Sequence, residues 1–345
     1  MNFAAQVLRL VSLVGLLGPL AAACQLSASD DGDAGTRASR PAPYQAPGGA
    51  PSSGAGRLTS IVFLRHSVGS GLIGDGGLRP QLTDLGYDFY DQGYNEQGLT
   101  LPNGEPAGYG YQVPDDNTDP DGLAAIFSQD VVPESVGAAG EPANTLTGLM
   151  RHDVIMFKSC FPVSGIASDE QLGAYKSYYL RIRSFADAHP ERLFIALTPP
   201  PLEPGSTNAA EAQRARAFAD WLTSPEFVAG RPNTVVFNLF DQLAESEPGK
   251  PDRNMLRAAY RPGADSYRPK ALVKRVVNLG LDTVGSSRRL GAGDSHPNAR
   301  ANRTVAPILV NAVDAAIQTY AGPERLAAAA SGEAPVAQVG AGTAR

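Results

Sequence analysis

Four short apolar runs, Ile61–Leu64, Val154–Phe157, Leu193–Leu197 and Thr234–Leu239, recur along the chain with helix-length intervals between most of them. Each is rich in β-branched or aromatic residues and stops at turn-forming residues, as strands buried on both faces of a sheet do. Tyr87–Asp91 alternates less cleanly and is the fifth expected strand. The intervals carry helical spacing. Leu78, Leu82 and Leu85 mark a short helix; Ser168 and Gln171 form a capping box ahead of a face made by Leu172, Tyr175, Tyr179, Ile182 and Ala186. Asn208 and Glu211 open a helix with Phe218, Trp221 and Leu222 inward, and Ala299–Tyr320 is a last helix with Val305, Leu309 and Val313 inward. Strands alternating with helices predict an α/β fold: a five-stranded parallel sheet, doubly wound, in three α/β/α layers.

In open sheets of this kind ligands bind at the carboxyl ends of the strands, so the residues just after each run matter most. After Ile61–Leu64 comes Arg65-His66-Ser67, then Gly69 and Gly71, a strand stopping at a turn into a helix. Ser67 is therefore a candidate nucleophile. A serine hydroxyl needs a base to take its proton, and the base needs a third group to hold its tautomer. Gly293-Asp294-Ser295-His296-Pro297-Asn298 offers both, since Asp294 and His296 share a face in extended backbone. His66, adjacent to Ser67, is expected to point the other way unless the turn has already begun. Each residue also has a plainer reading: Ser67 as a helix cap, and His296 as a structural residue before a helix.

The order Ser early, Asp and His late resembles the SGNH (GDSL) hydrolases. Ile61-Val-Phe-Leu-Arg-His-Ser67 is similar to that family's first block, Asp153-Val-Ile-Met-Phe-Lys-Ser-Cys-Phe161 to its third, and Asp294 with His296 to its last. The resemblance implies a flavodoxin-like sheet and a Ser67–His296–Asp294 triad acting on esters, with no metal or organic cofactor. It also implies oxyanion donors, for which Gly93, Ser159 and Cys160 are the candidates beside the Ser67 N–H. The chain departs from the pattern in having Arg65-His66 where Gly-Asp is usual and Cys160 where asparagine is expected. The D-x-H spacing is similar to that of bacterial polysaccharide O-acetyltransferases, which points to an acylated small molecule or polysaccharide as substrate. Cys160 as nucleophile is a further possibility, but no His-x-Cys arrangement supports it.

The ends look non-globular. Residues 7–20 are almost all apolar and too short to span a membrane, and Ala21-Ala-Ala-Cys24 follows. This resembles a lipoprotein signal with Cys24 lipidated, which would anchor the chain to a bacterial envelope membrane; the same alanines also fit ordinary secretory cleavage. Residues 24–58 read as a flexible tether, 59–321 as one catalytic domain, and 322–345 as a disordered tail. With Cys24 acylated, Cys160 has no partner for an internal disulfide, there being 2 cysteines. A formal net charge of −6 without basic runs argues against nucleic acid as a partner.

Residues 93–140, rich in Gly, Pro, Asp and Tyr, read as a cap or substrate-binding insertion. Asp115 to Asp121 has alternate carboxylates, but Pro120 and Ile126 stand where a calcium loop needs glycine and glutamate, which favours a turn capping a helix over 121–127. The aromatics Tyr87, Tyr90, Tyr94, Tyr109 and Tyr111 keep open a catalytically degenerate SGNH-like glycan-binding lipoprotein, and a purely structural envelope role stands beside it.

Overall fold

The computed structural model describes residues 58–132, 140–264 and 295–331. The expected signal peptide, Cys24, the tether, Asp294 and most of 322–345 lie outside the described residues. The elements in chain order are β1 (Ser60–Leu64), α1 (Ser67–Ile73), α2 (Leu78–Asp84), β2 (Asp88–Gln92), β3 (Leu99–Thr100), α3 (Pro120–Ile126), α4 (Thr145–Leu149) and β4 (Val154–Lys158). There follow α5 (Asp169–Ala188), β5 (Leu193–Leu197), α6 (Ala209–Thr223), α7 (Pro225–Val228), β6 (Thr234–Phe237), α8 (Leu239–Leu243) and a terminal helix Ala299–Ser331 that breaks at Gly322.

The strands form one sheet in the order β3-β2-β1-β4-β5-β6. The five anticipated strands are parallel, but the sheet has a sixth and is mixed: β3 runs antiparallel to β2, with Asp91 opposite Thr100 and Gln92 opposite Leu99. The reversal is local. The Gly98 N–H closes a turn onto the Tyr94 carbonyl, and at φ +66° a side chain at Gly98 would be strained and its Cβ would strike the Tyr109 carbonyl oxygen at 2.8 Å.

Alternation along each strand builds two cores. Ile61, Phe63, Val154, Met156 and Ile195 face α1, α2, α8 and the terminal helix; Val62, Leu64, Ile155, Phe157 and Phe194 face α3, α5 and α6. The inward residues Val305, Leu309 and Val313 are fully buried as their spacing predicts, whereas Leu85 lies just past α2 and is exposed. The region 93–132 is not only a cap. Leu123, Ile126 and Phe127 belong to the core, with the Phe127 ring 5.1 Å from that of Phe157, because α3 packs on α5 as a regular layer helix.

β1 pairs with β2 on one side and β4 on the other, so the chain leaves β1 in one direction and returns on the opposite flank. The carboxyl ends of β1 and β4 therefore border the topological switch point, where loops diverge and leave room for a ligand.

Candidate functional site

Ser67 is the first residue of α1, half-buried at that switch point. Cys160, two residues past the end of β4, stands near enough for the Ser67 hydroxyl to draw the thiol pKa down. The Phe161 N–H pulls the thiol pKa in the same direction, and the Cys160 N–H does so for the carboxylate of Asp119, the N-cap residue of α3. Burial pushes the Cys160 thiol up, against a downward pull from the Lys158 charge, so the group is a neutral thiol at pH 7. That removes the activation a cysteine nucleophile needs.

His296 reaches the same turn from the far end of the chain. Its ring meets the Phe161 ring edge-on, with centroids 4.7 Å apart. Two neighbours fix its segment: the Ser295 hydroxyl, fully buried, accepts the Glu203 N–H at 3.0 Å, and the Asn298 side chain donates to the Ala259 and Arg261 carbonyls at 3.1 and 3.0 Å while accepting the Ala301 N–H. Asn302, one turn further on, donates to Asp75 at 3.1 Å and to the Pro297 carbonyl at 3.4 Å. Since α1 lies against this helix start, a Cβ on Gly71 would fall 2.5 Å from Asn302 Nδ2. Ser67 and His296 thus flank adjacent residues, Cys160 and Phe161, of one rim turn. Asp294, the expected orienting acid, lies outside the described residues.

The oxyanion candidates fare unequally. Gly93 is buried, but its N–H is directed to the Gly98 carbonyl at 3.4 Å, and a Cβ there would meet the Arg65 guanidinium at 2.9 Å. Ser159 is fully buried with its hydroxyl 3.2 Å from the Tyr179 hydroxyl, on the sheet face away from α1. Both are committed to structure, because one closes the β2 turn and the other follows the strand's alternation into the core. Of the three, Cys160 is the one whose pKa the Ser67 hydroxyl influences.

The insertion side of Ser67 holds a polar cluster that spacing did not reveal. Lys158 is fully buried; its Nζ donates to the Ser159 carbonyl at 2.9 Å, and desolvation, opposed by Cys160 and Asp119, brings its pKa down to about 8. His66 stacks on Tyr94 at 4.2 Å, with Nδ1 3.3 Å from the Thr118 hydroxyl and Nε2 3.7 Å from Asp116. Burial, then the charges of Lys158 and Arg65, lower its pKa to about 4, so the ring is neutral. It faces the insertion from the turn itself, since β1 ends at Leu64 and His66 is already the N-cap residue of α1, where strand alternation no longer applies. Burial raises Asp119 and Asp116 above the ordinary carboxylate range. Nothing in the local sequence singles out Asp119, because its role depends on α3 docking beside β4.

Arg65, Asp91 and Arg79 form a buried ion-pair network beneath this cluster. Arg65 bonds Asp91 at 2.6 Å and the Ser70 hydroxyl at 2.5 Å, and Arg79 pairs with the other Asp91 oxygen. Among the described residues no group of His, Cys, Asp and Glu has the arrangement to hold a metal ion, the carboxylates of 115–121 included. No helix of the described residues is long and apolar enough to cross a membrane. A surface hollow of about 410 Å³, lined by Asp187, Pro190, Gly230 and Arg231, lies at the amino-terminal ends of β5 and β6, away from Ser67. Comparison with protein-family models, with curated proteins and with solved structures gave no match.

Proposed function

We propose that the chain is an SGNH-like serine ester hydrolase acting on an O-acylated small molecule or polysaccharide, exported and anchored through a lipid on Cys24. The observation that carries the reading is the placement of a half-buried serine hydroxyl at the β1/β4 switch point, with an imidazole from the last helix start on the adjoining rim residue. A buried serine with no such neighbour would be a helix cap and no more. The parallel-strand order is the one in which such a rim binds ligands.

In this reading Ser67 Oγ bonds to the ester carbonyl carbon as its proton passes to His296, and the carbonyl π pair moves onto oxygen. Collapse of that adduct breaks the bond to the alcohol, which leaves with the proton from His296. Water then attacks the acyl-serine by the same route, giving the carboxylic acid and free Ser67. Asp294 holds the imidazole in one tautomer and stabilises the imidazolium.

The test is hydrolysis of p-nitrophenyl acetate by the purified protein and by Ser67→Ala, with fluorophosphonate labelling located by peptide mass spectrometry. The expected result is an adduct on Ser67 and loss of at least ~10³-fold in rate for the variant. An adduct elsewhere, or equal rates, refutes the reading. An inert wild type whose tyrosine fluorescence responds to glycan would favour a binding module instead.

A further inference from the structure

His66 is 5% exposed, and its Nε2 is buried without a hydrogen-bond partner among the described residues. Such an atom is rare in a folded protein and calls for a reason. The other ring nitrogen, Nδ1, lies 3.3 Å from the Thr118 hydroxyl, and the ring packs flat on Tyr94. With the Thr118 hydroxyl donating to Nδ1, Nε2 carries the ring's proton and is a donor with no acceptor. Its nearest charged neighbour is Asp116, whose Oδ1 stands 3.7 Å away, too far to bond.

Asp116 is held in that place under strain. Asp115 and Asp116 have φ values of 51° and 53°, in the left-handed region that residues other than glycine seldom enter. Asn95 clamps them. Its N–H donates to Asp116 Oδ1 at 3.0 Å, its side-chain amide donates to the Val113 carbonyl at 2.8 Å, and its side-chain oxygen accepts the Val113 N–H at 2.9 Å. Backbone strain that the surroundings enforce in this way clusters at ligand sites. The Asp116 side chain is 31% exposed, so solvent reaches the carboxylate although it does not reach the orphaned donor.

We propose that Asp116 and His66 form a subsite for a sugar hydroxyl, and that the alcohol half of the acylated substrate is an uncharged glycoside. This rests on the esterase reading and deepens it. A hydroxyl matches the pair because one oxygen can donate to the carboxylate and accept from Nε2–H. Nε2 is enclosed in the free protein, so a small shift of the Asp116 side chain admits the ligand while the Asn95 bonds to Val113 keep the loop in place. His66 precedes Ser67 in the chain, which sets the bound hydroxyl on the insertion side of the nucleophile. Asp115 and Glu96, exposed chain neighbours of Asp116 and Asn95, disfavour an acidic sugar there.

Two esters test this: methyl 6-O-acetyl-β-D-glucopyranoside, which carries free hydroxyls, and p-nitrophenyl acetate, which has none. Asp116→Ala and His66→Phe should each lower the ratio of kcat/KM on the first to kcat/KM on the second by ~10-fold, the scale of one hydrogen bond to a charged group. His66→Phe keeps a ring to stack on Tyr94, and circular dichroism checks that both variants fold. Unchanged ratios in the two folded variants overturn the inference and leave the esterase standing. A second measurement needs no folded variant of Asp116: wild-type protein carrying 15N-histidine is titrated with methyl β-D-glucopyranoside. The His66 Nε2 resonance, identified by its loss in His66→Phe, should shift, and methyl β-D-glucuronide should shift it only at higher concentration. No shift with the glucoside sinks the subsite, and an equal response to the glucuronide sinks the choice of an uncharged sugar. A wild type that hydrolyses neither ester sinks the esterase reading, and the titration then decides the subsite by itself.

Discussion

The hydroxyl of Tyr111 lies 2.6 Å from Nε2 of His152, whose Nδ1 lies 2.7 Å from the Ser60 hydroxyl at the start of β1. The ring thereby links the insertion to the base of the sheet, the end opposite Ser67. Burial, then the charges of Arg151 and Arg192, push the His152 pKa down to about 3, and His66 behaves alike at about 4. A histidine with a folded pKa below its unfolded value of 6.5 binds fewer protons when folded. The stability it contributes is present above pH 6.5 and lost as pH falls toward the folded value. Two such groups give a slope approaching ~2.7 kcal/mol per pH unit between pH 6 and 4.5. Asp116 and Asp119, raised by burial, act with the opposite sign nearer their own pKa. Urea unfolding at a series of pH values should show this acid sensitivity, and His152→Gln should remove about one proton from the slope. An unchanged slope in that variant would show that His152 is not the group responsible.

How legible these features were follows from how local they are. β1, β4 and β5 could be read from Ile61–Leu64, Val154–Phe157 and Leu193–Leu197 because burial on both faces writes itself into consecutive residues. The Ser168 and Asn208 caps were equally readable, each hydroxyl or amide serving its own helix start. β3 has two residues and depends on its partner β2, so no run announces it. His152 sits between Arg151 and Asp153 and resembles a surface loop residue; only Tyr111, 41 positions away, makes it a buried one. Likewise no spacing rule connects Ser67 with Cys160, although each follows a strand end that the pattern marks as a rim position.

Close helix contact sets the position of His296. A Cβ on Gly76 would fall 2.4 Å from the Leu72 carbonyl oxygen, 2.6 Å from Ala306 Cβ and 2.8 Å from the Asn302 carbonyl oxygen, where two of the three obstacles are backbone. At Gly71 the obstacle is only the Asn302 side chain. Gly76→Ala should therefore destabilise by about 1–3 kcal/mol, as overpacking does, and Gly71→Ala by less. Thermal unfolding of the two variants checks the order, and a Gly76→Ala protein as stable as wild type would refute the close approach.

Asp91 is 1% exposed and carries two guanidinium partners, Arg65 and Arg79. Asp91→Ala leaves both cations buried without their counter-charge, a change that costs about 3–5 kcal/mol in comparable sites. Arg65 also bonds Ser70 on α1 and Gln97 in the β2–β3 turn, so the damage should spread to both. Limited proteolysis should cut Asp91→Ala within 93–132 faster than wild type; an unchanged cleavage pattern would mean that other contacts hold the insertion.

Lys158 combines complete burial with a pKa lowered to about 8 from 10.5, first by desolvation. A lysine whose folded pKa lies below its unfolded value is a cost to the folded state while charged. Stability rises with pH through the window from about 8 to 10.5, because the unfolded chain there holds the extra proton. Lys158→Met removes the buried charge at similar length, and well-packed apolar replacements of buried ions are often neutral or stabilising. The variant should match or exceed wild-type stability at pH 7 and lose the rise above pH 8. If the proposed esterase reading holds, its kcat on an aryl ester should nevertheless fall, because the buried charge that favours the ionised form at neighbouring Cys160 is gone. Denaturant unfolding at pH 7 and 9.5, paired with steady-state kinetics, separates the two effects. A variant less stable at pH 7 but unimpaired in kcat would reverse the assignment, making Lys158 a structural partner of Asp119 instead of part of the site's electrostatics.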